Sequence, residues 1–252
     1  MLKIFIVFFV LMCNFIVAGD EVSFYTGTIR TLSDKGNFLG TKVILNSEDE
    51  TSSNYLWYKK IKMESGLDQT NIAIMLKKEK DISNYMFLYY EDLSNNVIDG
   101  NIYGIGYSIN DTIDQEISFL FSLYSNKARV HQFKYSVKSM IEDYPIFIKF
   151  SPCLVLIDKN EKKYKYLSSE AKIGFIQGKN LLSFSFNGFK SRYLVDYNKF
   201  YNCPFGVLIY NYYNITYTRS ILLNFETSLM VSQYKTDNGN IKFNTLYLNW
   251  RF

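Results

Sequence analysis

An alternation of period two constrains the fold of this chain more than any other feature. In NLLSFSFN, Leu182, Phe184 and Phe186 share one face, and Ser183, Ser185 and Asn187 share the other. Successive side chains of a β-strand point to opposite sides, so such a run reads as a strand with one apolar and one polar face. The pattern recurs along the chain. IYGIGYSI sets Tyr103, Ile105, Tyr107 and Ile109 against Gly104, Gly106 and Ser108. EISFLFSLY sets Ile117, Phe119, Phe121 and Leu123 against Glu116, Ser118 and Ser122, with Leu120 out of step. In PIFIKFSPCLVLI, Ile146, Ile148, Phe150, Leu154 and Leu156 oppose Lys149 and Ser151. LLNFETSLMV reads as a further strand, Leu223, Phe225, Leu229 and Val231 opposing Asn224, Glu226 and Ser228.

Polar clusters punctuate these runs: SDKGN, NSEDETSSN, ESGLDQ, KKEKD, EDLSNN, NDTIDQ, SNKA, DKNEKK, QGKN and TDNGN. Asn, Asp, Gly and Ser supply tight-turn geometry, and Asn238-Gly239 is a hairpin signal. The abundance of Tyr (22) and Phe (21) beside only three Pro suits pleated surfaces. Three segments fit less well. SSEAK (168–172) reads as turn or strand, SVKSMIED (136–143) as a short helix, and FKSRYLVDYNKFYNCP (189–204) alternates poorly. No linker, repeat or composition shift divides the chain. The expectation is one all-β domain of antiparallel hairpins with about 12 strands, 10 or 14 being the alternatives. Tilted spanning strands of roughly 9–11 residues plus turns suit that number.

The beginning of the chain suggests export. Lys3 precedes an apolar run, Ile4 to Ala18, and small residues at Ala18-Gly19 precede Asp20. This reads as a signal peptide over residues 1–19, leaving 20–252 as the mature protein. An uncleaved anchor is the alternative, but the run is short against the ~20 residues of a spanning helix. Met12 before Cys13 argues against lipoprotein processing. Without Lys3 the mature chain carries 27 basic against 24 acidic residues, with no basic block suited to a nucleic-acid backbone. Cys153 and Cys203 remain; they could pair, but two distant cysteines are no disulfide scaffold. Neither they nor the lone His131 make a metal site, and no cofactor is expected. Every later apolar stretch is interrupted by polar residues. A membrane protein without a spanning helix is left with the closed barrel, which satisfies its backbone internally.

The last seven residues, LYLNWRF, put Leu246, Leu248, Trp250 and Phe252 on one face and Tyr247, Asn249 and Arg251 on the other. This ending resembles the C-terminal signature of bacterial outer-membrane β-barrel proteins, a final strand ending in Phe with apolar residues at alternate positions. The resemblance implies an up-and-down transmembrane barrel closed by pairing of last and first strands. It also implies outer-membrane lipid as surroundings, and recognition of the C-terminal strand by the barrel-assembly machinery.

If the apolar faces meet lipid, the opposite faces line the interior. Parity then puts Lys60, Lys62, Lys77, Lys134, Lys138, Lys149 and Arg251 inside with Glu64, Glu79, Glu116 and Glu226. Such a set mildly favours anionic solutes, since side-chain charge tunes pore selectivity. Some barrels of this class are enzymes that need a base, usually His. Here His131 shares parity with Phe133, Tyr135 and Val137 and has no Ser two residues on, so no enzymatic activity is expected. The leading expectation is a passive channel or porin for small polar or weakly anionic solutes. The alternatives are a plugged structural or adhesive barrel, and a soluble exported ligand-binding barrel with a polar outer surface.

Overall fold

The computed structural model describes residues 20–47, 51–81, 84–95, 99–110, 112–141, 144–188 and 208–252. The alternating runs form β1 (Glu21–Arg30), β2 (Lys35–Asn46), β3 (Ser52–Met63), β4 (Asp68–Asp81), β5 (Asn84–Asn95), β6 (Gly100–Ile109) and β7 (Ile113–Tyr124). The second half supplies β8 (Arg129–Ile141), β9 (Ile146–Lys159), β10 (Lys162–Gln177), β11 (Asn180–Gly188), β12 (Ile209–Leu222), β13 (Phe225–Thr236) and β14 (Gly239–Arg251). Each strand pairs antiparallel with the next, and β1 pairs with β14 from Glu21↔Arg251 to Arg30↔Lys242. The sheet therefore closes on itself, each strand having a paired neighbour on both sides.

The barrel has fourteen strands rather than about twelve, the larger of the two alternatives. Connections are shorter than the polar clusters imply. KKEKD lies wholly within β4, and SSEAK lies inside β10. Ser136 to Ile141, expected as helix, complete β8. LLNFETSLMV is two strands, since the chain reverses at Leu223-Asn224. A register shift between Ser220 and Leu222 absorbs one residue there, so odd-numbered apolar positions continue across the turn and conceal it. Residues 189–204, the poorly alternating run, lie outside the described residues, as do residues 1–19 and Cys203.

Two glycines explain a break in pattern. A Cβ on Gly104 would fall 2.4 Å from Leu120 Cδ2, and one on Gly106 would fall 2.2 Å from the Phe87 ring. Leu120, out of step in its run, thus turns inward over a position without a side chain. Gly239 has φ +101°, the left-handed conformation that the Asn238-Gly239 hairpin requires.

Among the described residues the inner face carries three apolar clusters. One joins Ile29, Phe38, Ile61, Tyr234, Ile241 and Phe243, from β1–β3 and β13–β14, with Ile209 and Tyr212 of β12. The second gathers Met75, Phe87, Tyr89, Ile102 and Leu120, with Tyr55, Trp57 and Tyr85 packed against it. The third holds Tyr124, Val130, Val155, Ile157 and the buried Cys153.

Candidate functional site: the barrel interior

Register fixes facing, because side chains paired across a ladder share a face. Ile61 is almost fully buried and pairs with Phe38 and Gln69. Strand β3 therefore turns Tyr55, Trp57, Lys59 and Ile61 inward, and Leu56, Tyr58, Lys60 and Lys62 outward. This corrects the facing expected for Lys60 and Lys62. They lie outside, 3.1 and 3.8 Å from Asp68. In YLWYKKIKM adjacent lysines offer a cation to each face, and only the burial of Ile61 selects between them. Lys59 takes the inward place, 5.8 Å above the Phe38 ring. Glu64 lies in the β3–β4 connection, 3.3 Å from Lys35.

The other residues expected on the interior face inward by register: Lys77, Lys134, Lys138, Lys149, Glu79, Glu116, Glu226 and Arg251. Several are held by neighbours. Lys77 lies 3.0 Å from Glu79, Lys138 lies 3.0 Å from Asp114, and Arg251 pairs with Glu21. The hydroxyl of Tyr85 donates to Glu116 at 3.3 Å.

The inner face also carries charges that parity missed, mostly because they sit in segments read as turns. Glu91 and Asp114 are strand residues within EDLSNN and NDTIDQ, and Glu170 and Lys172 lie within SSEAK. Glu91 accepts hydrogen bonds from Asn71 and Tyr89. Lys42 sits among apolar neighbours in β2, its ammonium 5.1 and 5.6 Å from the Tyr55 and Trp57 rings. With these included, the inward cations are nearly balanced by inward carboxylates.

The charge is unevenly placed, however. Lys138, Lys149 and Lys172 are direct register partners on β8, β9 and β10, with Asp114 at the β7 end of the row. The Phe147 ring lies 5.7 Å from the Lys138 ammonium and 5.6 Å from that of Lys172. In the next row Ser136 donates to Ser151 at 2.9 Å, and Ser151 pairs with Glu170. Like charges directly opposite destabilise a ladder unless counter-charge or water screens them. This stretch of wall is locally cationic.

The outer face is apolar. Ile72, Ile74, Leu76, Leu88, Ile105, Ile117, Phe150, Phe184, Phe186, Ile215, Leu229 and Val231 are all exposed. A soluble barrel would place these inside and keep its exterior polar, so the geometry opposes the soluble alternative. Leu246, Leu248, Trp250 and Phe252 belong to the same exposed surface. Trp250 packs edge-on against Phe225 at 5.4 Å and stacks on Phe252 at 6.3 Å. His131 also faces outward, its ring 4.9 Å from Phe121 and 6.1 Å from Phe119.

No protein-family model and no curated protein matches the sequence. Solved structures do match. The outer membrane protein Omp33 of Acinetobacter baumannii is 12% identical, with 93% of this chain and 98% of that chain covered and a TM-score of 0.53. The CymD monoaromatic hydrocarbon channel is 5% identical over 95% of this chain and 90% of that one, with a TM-score of 0.64. An anion-selective porin from Comamonas acidovorans is 5% identical over 94% and 99%, with a TM-score of 0.51. At such identities the likeness is one of fold, and the chain shares with these proteins the architecture of a closed antiparallel β-barrel.

Proposed function

We propose that the protein is a bacterial outer-membrane channel through which small polar, weakly anionic solutes diffuse. The observation that carries this is the inversion of the barrel: apolar side chains outside, where lipid would meet them, and charged and hydroxylated ones inside. Residues 1–19 serve as the export signal and are removed, leaving residues 20–252 in the membrane. The row Lys138–Lys149–Lys172 biases the lumen towards anions. Nearby Asp114 and Glu170 keep that bias modest. Two of the proteins sharing the fold are described as a channel and an anion-selective porin, which agrees with this reading by analogy of fold.

The test is electrical. Folded barrel in a planar bilayer should give discrete conductance steps, and a potassium chloride gradient should give a reversal potential of the sign for modest chloride preference. Folded protein that never conducts would overturn the channel. It would favour the plugged structural or adhesive barrel, which the three apolar clusters on the inner face make the second reading.

A further inference from the structure

The outward faces carry their own charge pattern at one end of the barrel. At the end bearing Glu21 and Arg251 few residues separate successive strands, as at 178–179 and 223–224, whereas at the opposite end β11 stops at Gly188 and β12 starts only at Ile209. Outer-membrane barrels have short periplasmic turns and longer extracellular loops, so the second end faces outward from the cell.

At that end Arg30 of β1 is flanked in register by Lys242 of β14 and Lys35 of β2. All three are exposed, and their sequence neighbours Ile29 and Ile241 are buried inside the wall. Lys235 projects from the same face of β13. Lys242, Arg30 and Lys35 thus make three cations in direct register, with Gln233 of β13 beyond Lys242. Lys35 has Glu64 at 3.3 Å, but among the described residues no carboxylate pairs with Arg30, Lys235 or Lys242. The far flank is built differently. There Asp158 of β9 stands in register between Arg129 of β8 and Lys163 of β10, so charge alternates. Like charges in direct register weaken a ladder, which makes three adjacent cations a natural seat for an external anion.

Its height names the anion. The highest apolar row here is Leu246–Thr26–Leu39, followed by Asn244–Thr28–Asn37, where Asn244 donates to Thr28 at 3.2 Å. The cationic row is four residues beyond the apolar one, or about 13 Å along the strand at ~3.3 Å per residue. A tilt of ~45° reduces that to roughly 9 Å, beside the headgroup layer, and long basic side chains can reach back towards it.

We propose that the outward rim of β14, β1 and β2 binds phosphate groups of lipids in the outer leaflet. The proposal rests on the membrane reading but not on conduction. Mature barrel in dodecyl maltoside would be titrated with phosphorylated lipid A, its dephosphorylated form, and phosphorylated lipid A plus inorganic phosphate, with binding read by native mass spectrometry. The parent should bind the phosphorylated lipid best, and inorganic phosphate should not displace it. Arg30→Gln/Lys35→Gln/Lys242→Gln should lose about tenfold or more in affinity, given the attraction of each basic residue near an anionic surface. Arg129→Gln/Lys163→Gln should bind as the parent does. Heat-modifiable mobility establishes that each variant is folded, and the comparison of the two lipids on the parent stands if one is not. Equal binding by parent and folded triple variant, or equal binding of the two lipids, would overturn the proposal. Displacement by inorganic phosphate would replace the lipid with a free-anion site. Conductance of the triple variant should be unchanged, so loss of lipid binding and failure of the channel are separate results.

Discussion

Changing Phe184 to Arg, beside the same change at Ser185, tests the facing of the barrel at two adjacent residues. Phe184 is exposed on the outer face, in register with Ile173 and Ile215, its ring 6.5 Å from that of Phe175. An outward Arg in the lipid band of such a barrel costs about 2–4 kcal/mol at mid-membrane and less near the interface. Phe184 lies four residues from the Gln177–Asn180 turn, so the lower part of that range applies. Loss of the aromatic contact adds roughly 0.5–1.5 kcal/mol. A total near 3 kcal/mol is expected. Ser185 is buried on the inner face between Lys172 and Asn214. An Arg there meets water and one opposed lysine, a penalty of about 1 kcal/mol or less. Urea midpoints for refolding into phosphatidylcholine vesicles would measure both. Equal losses, or a larger one at Ser185, would refute the assigned facing.

Deleting Phe252 should impair assembly in cells, with accumulation of unfolded chain, yet permit folding in vesicles; normal cellular assembly would remove its role as a signal. Gly106→Val should cost about 1–3 kcal/mol, because its Cβ lands 2.2 Å from the buried Phe87 ring; an unchanged urea midpoint would mean that ring is free to move. Lys149→Glu should move the reversal potential towards cation preference while Lys149→Arg leaves it in place, as bilayer recordings can show. Asp34, in the β1–β2 connection, accepts hydrogen bonds from the Ser65 hydroxyl and from the backbone N–H groups of Ser65 and Lys35, which hold its carboxyl below the usual range. Because the folded form binds the proton less readily, this tie between neighbouring connections persists above the ordinary carboxylate range and is lost as pH falls through the depressed value. Hydrogen exchange at the Ser65 and Lys35 amides should accelerate on acidification beyond its intrinsic trend, and should not do so in Asp34→Asn.

Period-two alternation was sufficient to assign the class of fold and the outward faces of most strands. Strand geometry couples every second side chain to one side, so Leu182, Phe184 and Phe186, or Leu246, Leu248 and Trp250, carry their facing in their own order. Turns were less plain. At Leu223-Asn224 a register shift keeps parity intact through a reversal, and in SSEAK and EDLSNN polar residues resemble a turn whether they form one or line an interior. Both effects lowered the strand count and hid Glu91, Glu170 and Lys172. What only the closed barrel decided was which cation of a Lys-Lys pair turns inward and which charges become neighbours. Lys59 and Lys60 differ through the burial of Ile61, and Lys138, Lys149 and Lys172 meet through register between strands. Alternation is a local property of each strand, whereas register is a relation between strands set by the packing and turns of the whole sheet.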